Sequence, residues 1–225
     1  MSGFKLDMHV HTAETSRCGK VRAEQMVELY KEAGYNGVVI TDHYKRGFFD
    51  NIESLGWEEQ IKRYLTGYST AFNRGRELGL KVFLGIELTF EESPNDFLVY
   101  GITPEFLINN PRLFTLTLKD FKTLVNDNDI LVYQAHPFRP GLNPVNPSLI
   151  DGIEVYNGNP RHDSYNDLAY QFAINNELKL ISGSDFHQIE DVARGGIIID
   201  GEINNERELV NFLKNTPSPE LIRSV

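Results

Sequence analysis

The sequence is poor in several features that mark particular classes of protein. It has one cysteine, Cys18, in 225 residues, which excludes an intrachain disulfide and favours a reducing compartment. No apolar run approaches the roughly 20 residues that a helix needs to span a bilayer. The first residues, MSGFKLDMHV, include no apolar stretch of the signal-peptide type. We therefore expect a cytoplasmic protein without a membrane partner.

Positive charge is also scarce. The chain has 22 lysines and arginines against 32 aspartates and glutamates, and its formal net charge is -10 at pH 7. It lacks the overall basic character of many nucleic-acid-binding proteins, so a nucleic-acid partner is not favoured. The negative charge does not exclude a small anionic ligand at a metal site, because bound cations would reverse the sign of the local field.

Short apolar runs alternate with amphipathic stretches, without internal repeats or low-complexity segments. The runs predict strands over residues 4–10, 37–41, 81–88, 97–102, 130–135, 152–156, 179–184 and 196–200. Helical spacing predicts helices over 22–33, 57–78, 118–126, 163–177 and 204–214. This order indicates one α/β domain over residues 1–225, either a small TIM-like barrel distorted by a hairpin at 81–102 or an open doubly wound sheet. In both architectures the reactive groups gather at the carboxyl ends of the strands.

The histidines have an uneven distribution along the chain. Five of the six lie at or just after the end of a predicted strand, namely His9, His11, His43, His136 and His187. Two carboxylates, Glu87 and Asp185, occupy matching positions. Side chains two residues apart in a strand lie on the same face, as those of His9 and His11 would. Such a pair either holds a cation or is a half-buried pair without a ligand. The combination favours a metal cluster, because a barrel gathers its strand ends at one face.

These side chains offer nitrogen and carboxylate oxygen with little sulfur. That donor set suits Zn, Mn, Fe or Co rather than Ca or an iron–sulfur cluster. Seven potential ligands are more than one catalytic zinc ion typically takes from a protein. At least two ions are therefore expected, with a carboxylate as the bridge between them.

The motifs, taken in order, resemble the PHP (polymerase and histidinol phosphatase) family of metal-dependent phosphoesterases. They are DMHVHT at 7–12, ITDH at 40–43, GIEL at 85–88, AHP at 135–137 and GSDFH at 183–187. The resemblance implies a distorted (β/α)7 barrel with two or three divalent metal ions at its carboxyl end. It also implies that one ion is held by His9, His11, Glu87 and Asp185. Glu87 would bridge to a second ion near His136, and His43 and His187 would complete the cluster.

Two positions depart from the family pattern. Many members carry Asp or His a few residues after the first motif, where this chain has Arg17 and Cys18. Cys18 is either a ligand or an ordinary small loop residue, and the second interpretation is favoured. Many members also carry His on the strand after Glu87, where this chain has Asp96, which can still bind a cation. The number of ions therefore stays at two or three.

The resemblance implies that a metal-activated hydroxide attacks the phosphorus of a small phosphoester, such as a histidinol-phosphate-like or nucleotide substrate. Four arginines are candidates to neutralise phosphoryl charge, although the last three are equally typical of solvated surface residues: Arg17, Arg139, Arg161 and Arg194. Asp7 and Asp42 are candidates to orient ligand imidazoles. His162 is not expected to be a ligand and is a minor candidate for a proton donor at the rim.

Two other functions remain open. A metal-dependent amidohydrolase also uses an H-x-H pair and a late aspartate, but it often needs a bridging lysine. No lysine lies at a suitable strand end here, since Lys45 lies beyond its strand. A non-catalytic metal-binding module is the second alternative, and the intact ligand set argues against it. The sequence leaves the oligomeric state open.

Overall fold

The computed structural model describes residues 3–126 and 129–224. Its strands are β1 Phe4–Val10, β2 Gly37–Ile40, β3 His43–Tyr44, β4 Lys81–Thr89, β5 Asp96–Tyr100, β6 Leu131–Gln134, β7 Gly152–Asn157, β8 Lys179–Gly183, β9 Gly195–Ile199 and β10 Glu220–Arg223. Its α-helices are α1 Ala23–Glu32, α2 Arg46–Phe49, α3 Trp57–Tyr64, α4 Thr66–Leu78, α5 Pro104–Asn109, α6 Leu118–Val125, α7 Asn166–Asn175 and α8 Glu206–Asn215. The predicted domain over 1–225 includes residues 1, 2, 127, 128 and 225, which lie outside the described residues.

The strands form one sheet in the order β10-β9-β1-β2-β4-β5-β6-β7-β8, with β3 paired to β4. Strands β1, β2 and β4 are mutually parallel, as are β6, β7 and β8. Strand β5 is antiparallel to both of its neighbours, which is the predicted hairpin distortion. A parallel bridge between Val10 and Phe186 joins β1 to the segment that follows β8, the strand at the far end of the sheet. The sheet is therefore a nearly closed barrel, and the prediction of a distorted (β/α)7 TIM-like fold is confirmed.

Helix α1 shows how the local sequence sets an element. Its buried residues include Met26, Val27 and Tyr30, which share one face at helical spacing. Gly34 follows with a φ of +76°, and the amide of Tyr35 donates to the carbonyl of Tyr30. A left-handed glycine just after the last turn is a common helix end, because glycine has no Cβ to clash in that conformation.

The single helix predicted over 57–78 is divided in two at Leu65. Gly67, the second residue of α4, has its backbone against the loop that follows β1. A Cβ at Gly67 would lie 2.8 Å from Oδ2 of Asp42 and closer still to the hydroxyl of Thr12. The glycine thus permits a close approach of α4 to a loop that carries predicted site residues. Helices α2 and α5 and strands β3 and β10 were not predicted.

Apolar side chains fill most of the interior. One cluster joins Leu6 and Met8 of β1 to Phe83 of β4 and Tyr133 of β6, and all four are almost wholly buried. Polar side chains are buried mainly at the other end of the same strands, where the histidine motifs lie. Among the described residues no helix is long and apolar enough to cross a bilayer.

Candidate metal centre

The eight predicted metal ligands meet at the carboxyl end of the barrel. They come from the ends of β1, β4, β6 and β8, from β3, and from the start of β5, which runs in the opposite direction. Their ligand atoms form four overlapping groups, each within 4.8 Å: His11, His43 and His187; His9, His136 and Asp185; His9, His11 and Glu87; Glu87, Asp96 and His136. The topology thus brings together every residue that the sequence predicted as a ligand.

The innermost group has the spacing of a coordination shell. Nε2 of His9 lies 3.0 Å from Nε2 of His11, 3.3 Å from Oε1 of Glu87 and 3.5 Å from Oδ1 of Asp185. Donors bound to one zinc-sized ion at about 2.0–2.2 Å lie about 2.8–3.6 Å from one another. Each of the three neighbours therefore lies at the distance from His9 that ligands of one divalent ion show, and His9 belongs to two such groups, one with His11 and Glu87 and one with His136 and Asp185.

Hydrogen bonds on the far side of each ring turn the lone pairs toward this point. Nδ1 of His9 contacts Oε1 of Glu154 at 2.9 Å, and an ionised carboxylate only accepts, so the proton belongs on Nδ1. Nδ1 of His11 lies 3.2 Å from Oγ of Ser16, whose hydroxyl donates to Asp42 at 2.7 Å. Both Nε2 atoms then present lone pairs to each other, and a cation between them removes the repulsion.

The charges of the buried groups support the same conclusion. Burial opposes protonation of His9, yet Glu154, Asp185 and Glu87 raise its pKa well above the usual value. Burial lowers the pKa of His11 well below its usual value, and the neighbouring His187 and His43 lower it further. The carboxylates thus attract positive charge into this space, and a divalent ion would take the place of a proton there.

Glu87 connects the groups. Its side chain is 1% exposed, its Oε1 lies 3.1 Å from Nε2 of His136, and its Oε2 lies 2.6 Å from Nδ1 of His43. That contact is not a hydrogen bond, and Oε2 has no hydrogen-bond partner among the described residues. Burial acts to raise the pKa of Glu87, but His43 and His9 hold it well below its usual value. A buried, ionised carboxylate between three imidazoles is suited to bridge two cations.

The two aspartates predicted to orient imidazoles act differently. Asp42 reaches His11 through Ser16, as predicted, and also accepts from the amide and hydroxyl of Thr12. Asp7 instead fixes the backbone, since it accepts from the amides of His9 and Ser184. Burial raises the pKa of both Asp7 and Asp42 to about 6, against the effect of these hydrogen bonds.

Sequence analysis missed Glu154, which is the residue that orients the His9 ring. It lies in β7 and is fully buried, and it also accepts from the amide of His136 at 3.0 Å and from Nδ2 of Asn157 at 2.9 Å. The available signal was a lone carboxylate within the apolar run GIEVY at 152–156. An unpaired charge at such a position is costly, which implies a buried partner.

The cluster opens into a cavity of about 280 Å³. Six predicted ligands line it, namely His43, Glu87, Asp96, His136, Asp185 and His187. The rest of the lining is a polar rim of Cys18, Arg139, Asn159, Arg161, His162 and Gln188. Burial and the positive charge of Arg139 lower the pKa of His162. The cavity therefore combines a possible cation cluster with cationic side chains at its mouth.

Of the four predicted arginines, two line the cavity. Nη2 of Arg139 donates to Oδ2 of Asp185 at 2.8 Å and to Oδ1 of Asn157 at 3.2 Å, while its buried Nε has no hydrogen-bond partner among the described residues. Arg161 forms a double hydrogen bond with the carboxylate of Asp191, with both distances 2.6 Å. Arg139 thus lines the cavity and keeps a donor that has no partner among the described residues.

The structure does not bring the other two arginines into the cavity. Arg17 is exposed on the loop after β1 and does not line the cavity. Nε of Arg194 donates to the carbonyl of Gly158 at 3.0 Å, which holds the side chain against the barrel wall. Their predicted contact with a substrate is therefore without support from the geometry.

Cys18 does line the cavity, although an ordinary loop role was favoured for it. Its Sγ lies 3.2 Å from Nε2 of His43 and 3.1 Å from Nε2 of His187. Partial burial acts to raise the pKa of Cys18, but its bonds to His187 and His43 lower it to about 6.

The family model of the PHP domain matches residues 7–216. The chain therefore belongs to the PHP domain family, whose members are metal-dependent phosphoesterases. No curated protein matched the sequence.

Three solved structures share the fold at low identity. One is a two-domain protein from Bacteroides vulgatus ATCC 8482 containing a predicted PHP-like metal-dependent phosphoesterase, with a TM-score of 0.69 and 18% identity over 96% of this chain. This chain covers 64% of that protein's length. PsfC from Pseudomonas syringae PB-5123 has a TM-score of 0.69 and 15% identity, covering 100% of this chain and 93% of its own. An amidohydrolase from Chromobacterium violaceum, with bound sulfate, has a TM-score of 0.53 and 14% identity, covering 97% of each chain.

Proposed function

We propose that this protein hydrolyses a small phosphomonoester with the help of two or three divalent ions. The observation that carries the proposal is the position of Arg139, which lines the same cavity as Glu87 and whose buried Nε has no hydrogen-bond partner among the described residues. A planar guanidinium with a free donor beside a cation cluster is suited to hold a phosphoryl group. That arrangement matches what phosphoryl transfer requires, namely positioning and neutralisation of oxygen charge.

The residues divide into those that would hold ions and those that would hold substrate. The ions would be first-row cations such as Zn, Mn, Fe or Co, which accept imidazole and carboxylate donors. When bound, they supply Lewis acidity toward the phosphoryl oxygens and a more acidic water. The protein's own part is to fix the imidazoles through Glu154 and Ser16, and to orient the phosphoryl group through Arg139.

The size and charge of the molecule favour a small substrate. A cavity of about 280 Å³ accommodates a phosphate and part of its leaving group. The net charge of -10 makes a long nucleic acid an unfavourable partner. Histidinol-phosphate-like compounds and nucleotides are the first substrates to try. The same proposal places the protein in the cytoplasm, where an accessible thiol such as Cys18 stays reduced.

Amide hydrolysis is the second candidate, because the fold is also that of the Chromobacterium violaceum amidohydrolase. No lysine is among the described residues that line the cavity, and Lys45 is exposed. A bridging lysine of the kind many amidohydrolases use is therefore not provided here, and the phosphoester reaction is preferred.

The test is to deplete the protein of metal, reload it with Zn, Mn, Fe or Co, and count bound ions by elemental analysis. The loaded protein is then assayed against an aryl phosphate, a panel of phosphomonoesters and a matched panel of amides. We expect two or three ions per chain and metal-dependent release of phosphate. His9→Asn should lose at least about 100-fold in activity while keeping the wild-type circular dichroism, because it removes the Nε2 ligand and keeps a polar side chain.

Each other result contradicts part of the proposal. Fewer than one ion per chain after reloading would reject the metal centre. Full occupancy with turnover of amides alone would assign the protein to the amidohydrolases. Full occupancy without turnover of either panel would favour a metal-binding module.

A further inference from the structure

We propose that Cys18 is a metal ligand, and that with His43 and His187 it forms a sulfur-containing subsite that selects zinc over manganese. The proposal rests on the metal centre proposed above and concerns the ion nearest the cavity mouth. It departs from the aspartate or histidine that the resemblance leads one to expect after the first motif, where this chain has a thiol.

The distances fit one ion shared by the three side chains. Sγ of Cys18 lies 3.2 Å from Nε2 of His43 and 3.1 Å from Nε2 of His187. With metal–sulfur and metal–nitrogen bonds of about 2.3 Å and 2.0–2.1 Å, a sulfur and a nitrogen on one zinc ion lie about 3.1–3.6 Å apart. The His11 ring lies beside this group, with its centroid 4.5 Å from that of His43 and 4.3 Å from that of His187, while its Nε2 faces the innermost group.

The far side of the His187 ring indicates that its Nε2 faces the thiol with a lone pair. Nδ1 of His187 lies 2.8 Å from the carbonyl oxygen of Asp185, which only accepts, so this nitrogen carries the proton. Nδ1 of His43 lies 2.6 Å from Oε2 of Glu87, but neither atom has a hydrogen-bond partner among the described residues. A cation between Sγ and the two Nε2 atoms would bind the lone pair of His187 and place positive charge beside Glu87.

A second observation points to positive charge at the same place. Oε2 of Glu87 is buried, has no hydrogen-bond partner among the described residues, and lies 3.5 Å from Nε2 of His11. A buried carboxylate oxygen left without a donor is costly, and a nearby cation removes that cost. Glu87 thus links the sulfur-containing subsite to the innermost group.

The backbone holds the loop in this position. The amide of Lys20 donates to the carbonyl of His187 at 2.8 Å, and the amide of Gly19 donates to the carbonyl of Ser16 at 2.9 Å. Gly19 is required for this turn, because a Cβ there would lie 2.9 Å from the carbonyl oxygen of Thr12. The thiol is therefore directed at the two imidazoles by a loop that is itself bonded to the segment carrying His187.

Sulfur changes which ion is preferred. Thiolate is a soft ligand that favours Zn, Co or Fe, whereas Mn and Mg favour oxygen donors. With two imidazoles and one thiolate, this subsite should retain zinc when manganese is in excess. An aspartate at position 18 should reduce that preference while keeping a ligand.

Cobalt provides a direct test, because Cys18 is the only cysteine in the chain. Metal-depleted protein is titrated with Co(II) and its near-ultraviolet absorption is recorded. We expect a sulfur-to-cobalt charge-transfer band that is present in the wild type and lost in Cys18→Ser and Cys18→Asp. Arg17→Ala, a change on the same loop outside the cavity, should keep the band. Circular dichroism of the metal-free variants should match the wild type, since the Cys18 side chain is exposed.

Two further measurements use the same proteins. Cys18→Ser should bind one zinc ion fewer per chain than the wild type, by elemental analysis. Zinc should slow alkylation of Cys18 by iodoacetamide at least tenfold in the wild type, whereas manganese should slow it less.

Full cobalt occupancy without the band, or alkylation that zinc does not slow, would overturn the proposal. These readouts are independent of turnover, so the two proposals fail separately. A band without phosphatase activity would leave the ligand assignment standing and reject the function. Metal-dependent phosphatase activity without the band would support the function and reject Cys18 as a ligand.

Discussion

The inner metal centre and the rim of the cavity differ in how firmly the protein fixes their side chains. The side chains of His9, Glu87 and Asp185 are at most 3% exposed, and each contacts several partners at 3.5 Å or less. At the rim, the side chains of Arg139 and Arg161 are 18% and 33% exposed. The inner side chains are therefore held in one arrangement, as ligands of a cation require, whereas the rim side chains are less constrained.

The inner centre also contains unusual backbone. His136 and Asp185 have φ angles of 27° and 52°, in a region that residues other than glycine seldom adopt. Such conformations cost of order 1–3 kcal/mol each and persist where the surrounding structure over-determines them. Here the amide of His136 is bound by Glu154, and the carbonyl of Asp185 accepts from Nδ2 of Asn159 at 3.1 Å. The strained positions are thus ones that aim predicted ligands.

The largest effect is expected in the inner centre, at Glu87. Glu87→Gln keeps the size of the side chain but removes the charge that two ions would share. We expect a loss of about 10³-fold in activity, because a bound ion supplies several kcal/mol of transition-state stabilisation. At least one ion per chain should be lost as well. The measurement is kcat/KM on an aryl phosphate together with elemental analysis.

Glu105→Gln is the matched control, since Glu105 is exposed on α5 and does not line the cavity. It should behave as the wild type. If Glu87→Gln kept all its ions and stayed within tenfold of wild-type activity, the ions would not depend on a charged bridge, and the contrast with the rim would fail.

A smaller effect is expected one step outward, at Glu154. Its two oxygens accept from His9, from the backbone amide of His136 and from Asn157. In Glu154→Gln an NH2 group replaces one of these oxygens and would face another donor. Loss of such an outer partner typically costs about 10–100-fold in metal affinity. Zinc competition against a chelator measures it, with the exposed Glu190→Gln as control. Affinity within twofold of the wild type would show that the His9 ring needs no such partner.

These two glutamates also show what the sequence could and could not predict. Glu87 lies in a motif at a strand end, so local pattern and the barrel rule together place it at the centre. Glu154 lies in the middle of β7, and its partner His9 is 145 residues away, a contact that only the folded barrel creates. The barrel was predictable for the same reason as Glu87, because strand and helix periodicity is local.

Side-chain partners at the rim were the least predictable. Arg161 precedes His162 in an exposed loop, and nothing local indicates that Asp191 binds its guanidinium. Cys18 likewise gave a weak signal, since its relation to His43 and His187 depends on how the loop after β1 folds back. The break at Leu65 is of the same kind: helical spacing continues through it, and only packing against the loop around Thr12 decides where α4 begins.

The smallest effects, and the sharpest test of the contrast, belong to the rim arginines. Arg139→Lys keeps the positive charge but loses the planar fork, so Nε no longer offers its donor to a phosphoryl oxygen. A hydrogen bond to a charged group contributes about 1.5–3 kcal/mol, which corresponds to roughly a 10–100-fold rise in KM. Metal content should stay at the wild-type value. Arg194→Lys is the matched control, because Arg194 contacts Gly158 outside the cavity, and its KM should change less than about twofold. A fall in metal content with KM unchanged would show instead that Arg139 acts by holding Asp185, and would move this arginine from the rim to the inner centre.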